Sequence, residues 1–266
     1  MNTRLPLYRN PLHQLVAGST WRAAWFLLAY LVWGWLLWAA VFAATLATAI
    51  LAITLVGLPL LIATAAVIRG CANAERWRLR EVLAEPVHGR YRAVARPGIL
   101  GQIRTRWADP ATWRDFAYLF ALFPLLWTLD YAVILVWLIL LGGITVPLWY
   151  WAPVDTFNNG QSAHGLQFGY FPNGPGGPGS WGWFVGNLHQ ALIAAGIFVV
   201  LFLLFNYVLV GTARLHTRIA GALLRAPADP MAAAKDVLTR PGPLGPLHPE
   251  PASADPLHPQ PMHPAK

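Results

Sequence analysis

The stretch AAWFLLAYLVWGWLLWAAVFAATLATAILAITLVGLPLLIATAAVI, Ala23 to Ile68, decides the fold: 46 residues pass without one charged side chain. As a single helix it would run about 69 Å, against a bilayer hydrocarbon core of about 30 Å. The chain must therefore fold back. The expectation is two spans, about 23–44 and 48–68, joined by a tight turn. The place of that turn is open, and Gly57 and Pro59 read as a break inside the second span, where neighbouring helices re-satisfy the freed backbone groups.

Working outward, a third apolar run covers about 116–141 and is expected to kink at Pro124, and a fourth covers about 187–210. No secretory signal peptide is expected, because the first apolar run leads straight into a second. The composition agrees with a membrane class: 56% hydrophobic and only 11% charged, where soluble domains carry roughly 25% charged residues. The net charge of +8 does not point to nucleic acid, since all 19 Lys and Arg flank the apolar runs and none lies between Asp115 and Arg214. Cations at span ends set orientation by the positive-inside rule. On that rule residues 1–18, the segment 69–114 and the chain after the fourth span are expected in the cytoplasm, and the loop 151–186 outside. The fold class is thus an all-α integral protein of the plasma membrane, with four transmembrane helices and cytoplasmic helical extensions.

Two short echoes suggest an internal repeat. Thr20-Trp21-Arg22 returns as Thr112-Trp113-Arg114, 92 positions on, and Leu83-Ala84-Glu85-Pro86 returns as Leu224-Arg225-Ala226-Pro227, 141 positions on. The expectation is one hairpin unit used twice over residues 19–228, both copies inserted from the same side, with the extra length of the second copy in the outer loop. Trp33, Trp35 and Trp38 read as helix packing.

Outside the spans, residues 69–85 read as a helix continuing from the second span, with its Glu and Arg pairs on a solvated face. In 97–108 the residues Arg104, Arg106 and Trp107 suit either the anionic inner leaflet or packing on that helix. Asp109 ahead of Pro110, or Thr112 with Asp115, caps the third span. In the outer loop, Phe168, Tyr170, Phe171, Trp181 and Trp183 form either a ligand platform or a contact with the outer leaflet, on a segment of turns or at most a short hairpin. Residues 229–266, with repeated Leu-His-Pro, are expected to be a disordered Pro- and His-rich tail bearing one short helix near 230–238.

Asp130 is the acidic side chain well inside a span, and an intramembrane charge is a functional candidate by default. His189 and Asn206 lead its candidate partners, ahead of Tyr131, Tyr207, Thr45, Thr48 and Thr54. The alternative is a structural hydrogen bond between two helices. No Gly-x-Ser-x-Gly, His-Glu-x-x-His, phosphate loop or Cys-x-x-Cys is present, so no enzyme, cofactor or metal site is expected. The single Cys71 reads as a packing residue.

Thr20-Trp21-Arg22, Gly57-Leu58-Pro59-Leu60-Leu61, Glu75-Arg76, Asp109-Pro110-Ala111-Thr112-Trp113-Arg114-Asp115, Tyr118, Pro124 and Pro147-Leu148-Trp149-Tyr150-Trp151 together resemble the “Putative sensor” domain family of actinobacterial proteins, over about residues 18–228. That resemblance implies a four-helix membrane sensor region, often found ahead of a histidine kinase, and it brings no catalytic residues. The 39 residues after Pro227 cannot form a kinase. The reading is then a sensor detecting an envelope or membrane cue and acting through a separate signalling protein, alone or as a homodimer. The alternatives are a small transporter or channel subunit using Asp130, or a scaffold for a membrane complex.

Overall fold

The computed structural model describes residues 3–54, 57–93, 98–226 and 231. Residues 1–226 form one compact unit. The expected tail and its short helix fall in the second unit, 227–266, and apart from Met231 they lie outside the described residues.

The first unit is mostly helical. In chain order it has α1 (Pro11–Val16), α2 (Gly18–Leu51), α3 (Gly57–Leu79), α4 (Ile99–Trp107), α5 (Pro110–Phe116), a π-helical turn (Ala117–Ala121), α6 (Phe123–Ile144), α7 (Val146–Trp149) and α8 (Leu188–Leu224). Four strands, β1 (Val154–Thr156), β2 (Ser162–His164), β3 (Leu166–Tyr170) and β4 (Trp181–Val185), lie between α7 and α8. Four helices, α2, α3, α6 and α8, are long and apolar enough to cross a membrane.

The first hairpin turns later than expected. α2 continues unbroken to Leu51, and Thr54 closes it by bonding Leu51 O through both its N–H and its hydroxyl. Gly57 and Pro59 open α3 instead of breaking it. Pro is tolerated in a first helical turn because the N–H it lacks would be unsatisfied there anyway. A Cβ at Gly57 would collide with Leu51 O, so the tight return of the chain needs glycine there. Partway down the hairpin, Thr48 and Thr64 join hydroxyls at 2.6 Å and tie the two helices.

Asp109 caps α5 by accepting from the N–H of Ala111, with Pro110 at the first helical position. The break expected at Pro124 is a π-helical turn just before it, in which Leu122 N–H reaches back to Ala117 O. That turn shifts the helical register ahead of the proline, a common way for a helix to absorb a kink.

The directions of the helices follow from their pairing. Trp21, Leu31, Trp35 and Phe42 of α2 meet Trp137, Trp127, Phe123 and Phe120 respectively, so the numbering falls on one partner as it rises on the other. α2 and α6 are antiparallel. α6 and α8 are antiparallel too, through Asp130 with His216 and Trp137 with Asn206. α2 therefore runs with α8, and α3 with α6. The α2–α3 turn and the α7–α8 loop lie at opposite ends of the bundle. This corrects the same-side insertion of two hairpins: the segments that begin at Thr20-Trp21-Arg22 and Thr112-Trp113-Arg114 run in opposite directions.

The core between them is largely aromatic. Trp35 and Trp38 pack on Phe123, and Phe42 stacks on Phe120, which stacks in turn on Phe116. Beyond α7 the chain forms two antiparallel hairpins, β1–β2 and β3–β4, where at most one was expected. Gly169 and Gly182 face each other across β3–β4 with φ of 148° and 116°, and a Cβ on either would strike the opposite strand's backbone.

Candidate functional site

Ile68, Ala72, Glu75 and Leu79 form the buried stripe of α3, and Leu209, Ala213, His216 and Ala220 that of α8. Each stripe follows helical spacing and carries one titratable residue. Around these two residues the structure assembles a chain of polar groups that links the hairpins.

Arg78 grips Glu75 one turn away with two bonds, Nε to Oε2 at 2.9 Å and Nη2 to Oε1 at 2.5 Å, the bidentate geometry of a strong charge-assisted pair. Its Nη1 donates to Phe26 O at 2.9 Å, and its guanidinium lies over the rings of Phe26 at 3.9 Å and Tyr30 at 4.8 Å. Tyr118, on the π-helical turn, donates its hydroxyl to Glu75 Oε1 at 2.9 Å and sits 3.1 Å from His216 Nε2. His216 Nδ1 lies 2.7 Å from Asp130 Oδ2. Tyr30 and Phe26 approach the imidazole edge-on at 4.4 and 5.4 Å. Glu75, Tyr118, Asp130 and His216 are each 0% exposed. Asp130 Oδ1 has no hydrogen-bond partner among the described residues.

The bonding assigns protons. Tyr118 gives its single O–H to Glu75, so His216 Nε2 must be the donor towards the phenol oxygen. The bond between His216 and Asp130 then carries a second proton, held either as imidazolium with carboxylate or as imidazole with carboxylic acid. First-hairpin groups, Arg78 and Glu75, thereby meet second-hairpin groups, Tyr118, His216 and Asp130.

A second network joins the ends of α3, α5 and α8. Arg76 donates to Asp115 Oδ1 at 2.6 Å, to Tyr91 Oη at 2.7 Å, to Asn73 Oδ1 at 2.8 Å and to Leu224 O at 2.9 Å. Tyr91 donates to Asp115 Oδ2 at 2.6 Å. Burial raises the Asp115 carboxyl above its ordinary value, against the lowering effect of Tyr91 and Arg76. Burial, and then the bond to Asp115, push the Tyr91 phenol up to about 12, so it remains a donor throughout the neutral range. Arg69 meets Asp109 at 3.1 Å and the Thr112 hydroxyl at 2.9 Å, with its guanidinium 4.4 Å from the Tyr91 ring centre. The Glu75-Arg76 and Asp109–Asp115 motifs, far apart in sequence, are thus joined in space. The solvated face expected for Glu75, Arg76 and Arg78 is corrected: all three are buried, because each charge meets a fixed partner.

Of the polar residues singled out in the spans, Asp130 is buried and paired, but not with His189 or Asn206. His189 is exposed in the first turn of α8. Asn206 accepts from Trp137 Nε1 at 3.0 Å and donates to Phe202 O. Tyr131 stacks on Trp127, Tyr207 donates to Arg9 O, Thr45 bonds a carbonyl of its own helix, and Thr54, just past α2, bonds Leu51 O. His216, the real partner, lies two residues past Arg214, in a stretch the sequence reading had placed beyond the membrane.

Four of the five loop aromatics share one face. The β3–β4 register sets Phe168 opposite Trp183 and Tyr170 opposite Trp181, and directly opposed residues project to the same side of a ribbon. Phe168 also touches Phe198 on α8, whereas Tyr170 and Trp181 are 58% and 69% exposed. Phe171 is buried elsewhere, against Phe184. On α4, Arg106 and Trp107 donate to Ile62 O and Leu61 O of α3, in the part read as the second span and not in the 69–85 extension, while Arg104 is exposed.

The family described as “Putative sensor” matches residues 26–224, a range that includes both networks and the loop. No curated protein and no solved structure matches the chain.

Proposed function

From the premise that the chain belongs to the “Putative sensor” family, we propose that it is a multi-pass membrane sensor whose two hairpins change their mutual position on sensing a cue and pass that state to a signalling partner. The family and the four apolar helices support the membrane sensor reading. The observation that carries the proposal is the buried chain Arg78–Glu75–Tyr118–His216–Asp130. Its bonds cross from one hairpin to the other, so the contact between hairpins depends on the state of a few groups, as a two-state element requires.

We read the sequence echoes as an inverted repeat. The offset that relates Leu83 to Leu224 also relates Glu75 to His216, and the offset that relates Trp21 to Trp113 relates Phe26 to Tyr118. The chain would then lie where the two copies meet. Inverted copies meeting at buried ionisable groups are also met in transporters, and this favours a small transporter as the second reading. Flux of a solute into liposomes that disappears in Asp130→Asn would support it over the sensor.

We assign reception of the cue to the exposed aromatic face of β3–β4, which is joined to α8 through Phe168. Replacing residues 154–185 by a short Gly-Ser bridge should abolish the transcriptional response of cells to envelope perturbation while the protein still accumulates in the membrane. An unchanged response would refute the assigned role of this loop.

A further inference from the structure

We infer that the His216–Asp130 pair is a proton-binding site, and that the proton is the cue, or part of it, to which the hairpins respond. This rests on the sensor reading above and names its ligand.

The groups that face His216 are Asp130 from α6, Tyr118 from the π-helical turn, and Tyr30 with Phe26 from α2; Glu75 and Arg78 of α3 stand behind Tyr118. On α8 itself, Arg214 turns away to Leu5 O and Arg218 is exposed. Within this shell Arg78 offsets Glu75. Asp130 is the remaining carboxyl, and His216 the remaining group able to offset it.

With one proton between Nδ1 and Oδ2 the shell is neutral, whichever atom holds it. Transfer of that proton to a base in solvent breaks one N–H or O–H bond and leaves the electron pair on Nδ1 or Oδ2. The result is an Asp130 carboxylate beside a neutral imidazole, and one uncompensated negative charge where Glu75, Tyr118, Asp130 and His216 are each 0% exposed. Burying an unpaired charge is strongly unfavourable. Relief comes from loosening α6 and α8 from α3 so that water reaches the carboxylate. Tyr118 makes the loosening a matter of both hairpins, because its hydroxyl touches Glu75 on one side and His216 on the other. Asp130 Oδ1, which has no hydrogen-bond partner among the described residues, is free to accept from such water.

The test uses the full chain in phosphatidylcholine nanodiscs, with Cys71→Ser and spin labels at Ile50→Cys on α2 and Leu125→Cys on α6, both exposed positions. Raising the pH from about 5 to about 9, a range that spans the roughly 5 to 8 in which an ordinary histidine side chain changes charge, should shift the distance distribution between the labels. In Asp130→Asn the shift should be lost and the low-pH distance kept throughout, since the amide holds the pair neutral without the proton. A wild-type distance that does not move, or an equal shift in Asp130→Asn, overturns the proposal. Should that variant not fold, nitrogen NMR of the labelled histidines in the wild type decides. The His216 signal, assigned by its loss in His216→Gln, should change over the same pH interval as the distance, and an invariant signal overturns the proton site. The loop replacement described above tests the sensor reading separately, so a failed titration with a positive loop result removes the proton and leaves the sensor.

Discussion

Arg76 places its guanidinium among Asn73, Tyr91, Asp115 and Leu224 O, and so ties four segments at one point. Removing it leaves the Asp115 carboxyl, 1% exposed, without its cation. Arg76→Ala should therefore cost about 3–5 kcal/mol of stability, read by chemical unfolding in detergent. A loss below about 1 kcal/mol, the scale of an exposed pair, would contradict this. Arg76→Lys should recover only part of the loss, because a point charge cannot reach Asp115 and Leu224 O together. At this scale the sequence was uneven. Asp130 stood out as one carboxyl in an apolar run. Glu75 and His216 did not, because arginines surround both and drew them into a solvated reading. The signal was present in the stripes Ile68-Ala72-Glu75-Leu79 and Leu209-Ala213-His216-Ala220, where each occupies a position that helical spacing reserves for apolar side chains.

α6 and α8 pack closely where Gly143 faces the ring of Phe198; a Cβ built at Gly143 would stand 2.3 Å from that ring. Small residues let membrane helices approach in this way. Gly143→Val should push the helices apart and destabilise the protein by about 1–3 kcal/mol, seen as a lower thermal midpoint in detergent. Gly142→Val makes the control, since nothing lies within 4 Å of a Cβ there. Equal effects at the two sites would count against this packing. The four long helices were legible because apolar runs of that length have few other solutions in a bilayer. The first turn was misplaced because Ala23–Ile68 offers no charged residue to mark it. The two loop hairpins were hidden because β1 and β2 have three residues each and β3 is interrupted by Gly169.

Across the whole molecule, sequence echoes and arginine counts led to hairpins inserted side by side, and the structure sets them in opposite directions. The reason lies in what the arginines do. Arg69, Arg76, Arg78, Arg106 and Arg214 bond to side chains or carbonyls inside the unit, so they do not act as free markers of a membrane side. Opposed hairpins are also what bring Glu75 to His216, and the sensing proposal depends on that meeting. The direct test is cross-linking of cysteine pairs in the Cys71→Ser protein. Trp21 lies 5.7 Å, ring centre to ring centre, from Trp137 near the far end of α6. Trp21→Cys should cross-link to Trp137→Cys and fail to link to Trp113→Cys, its counterpart in the second echo. A strong link from position 21 to 113 with none to 137 would mean hairpins side by side, and would contradict the account.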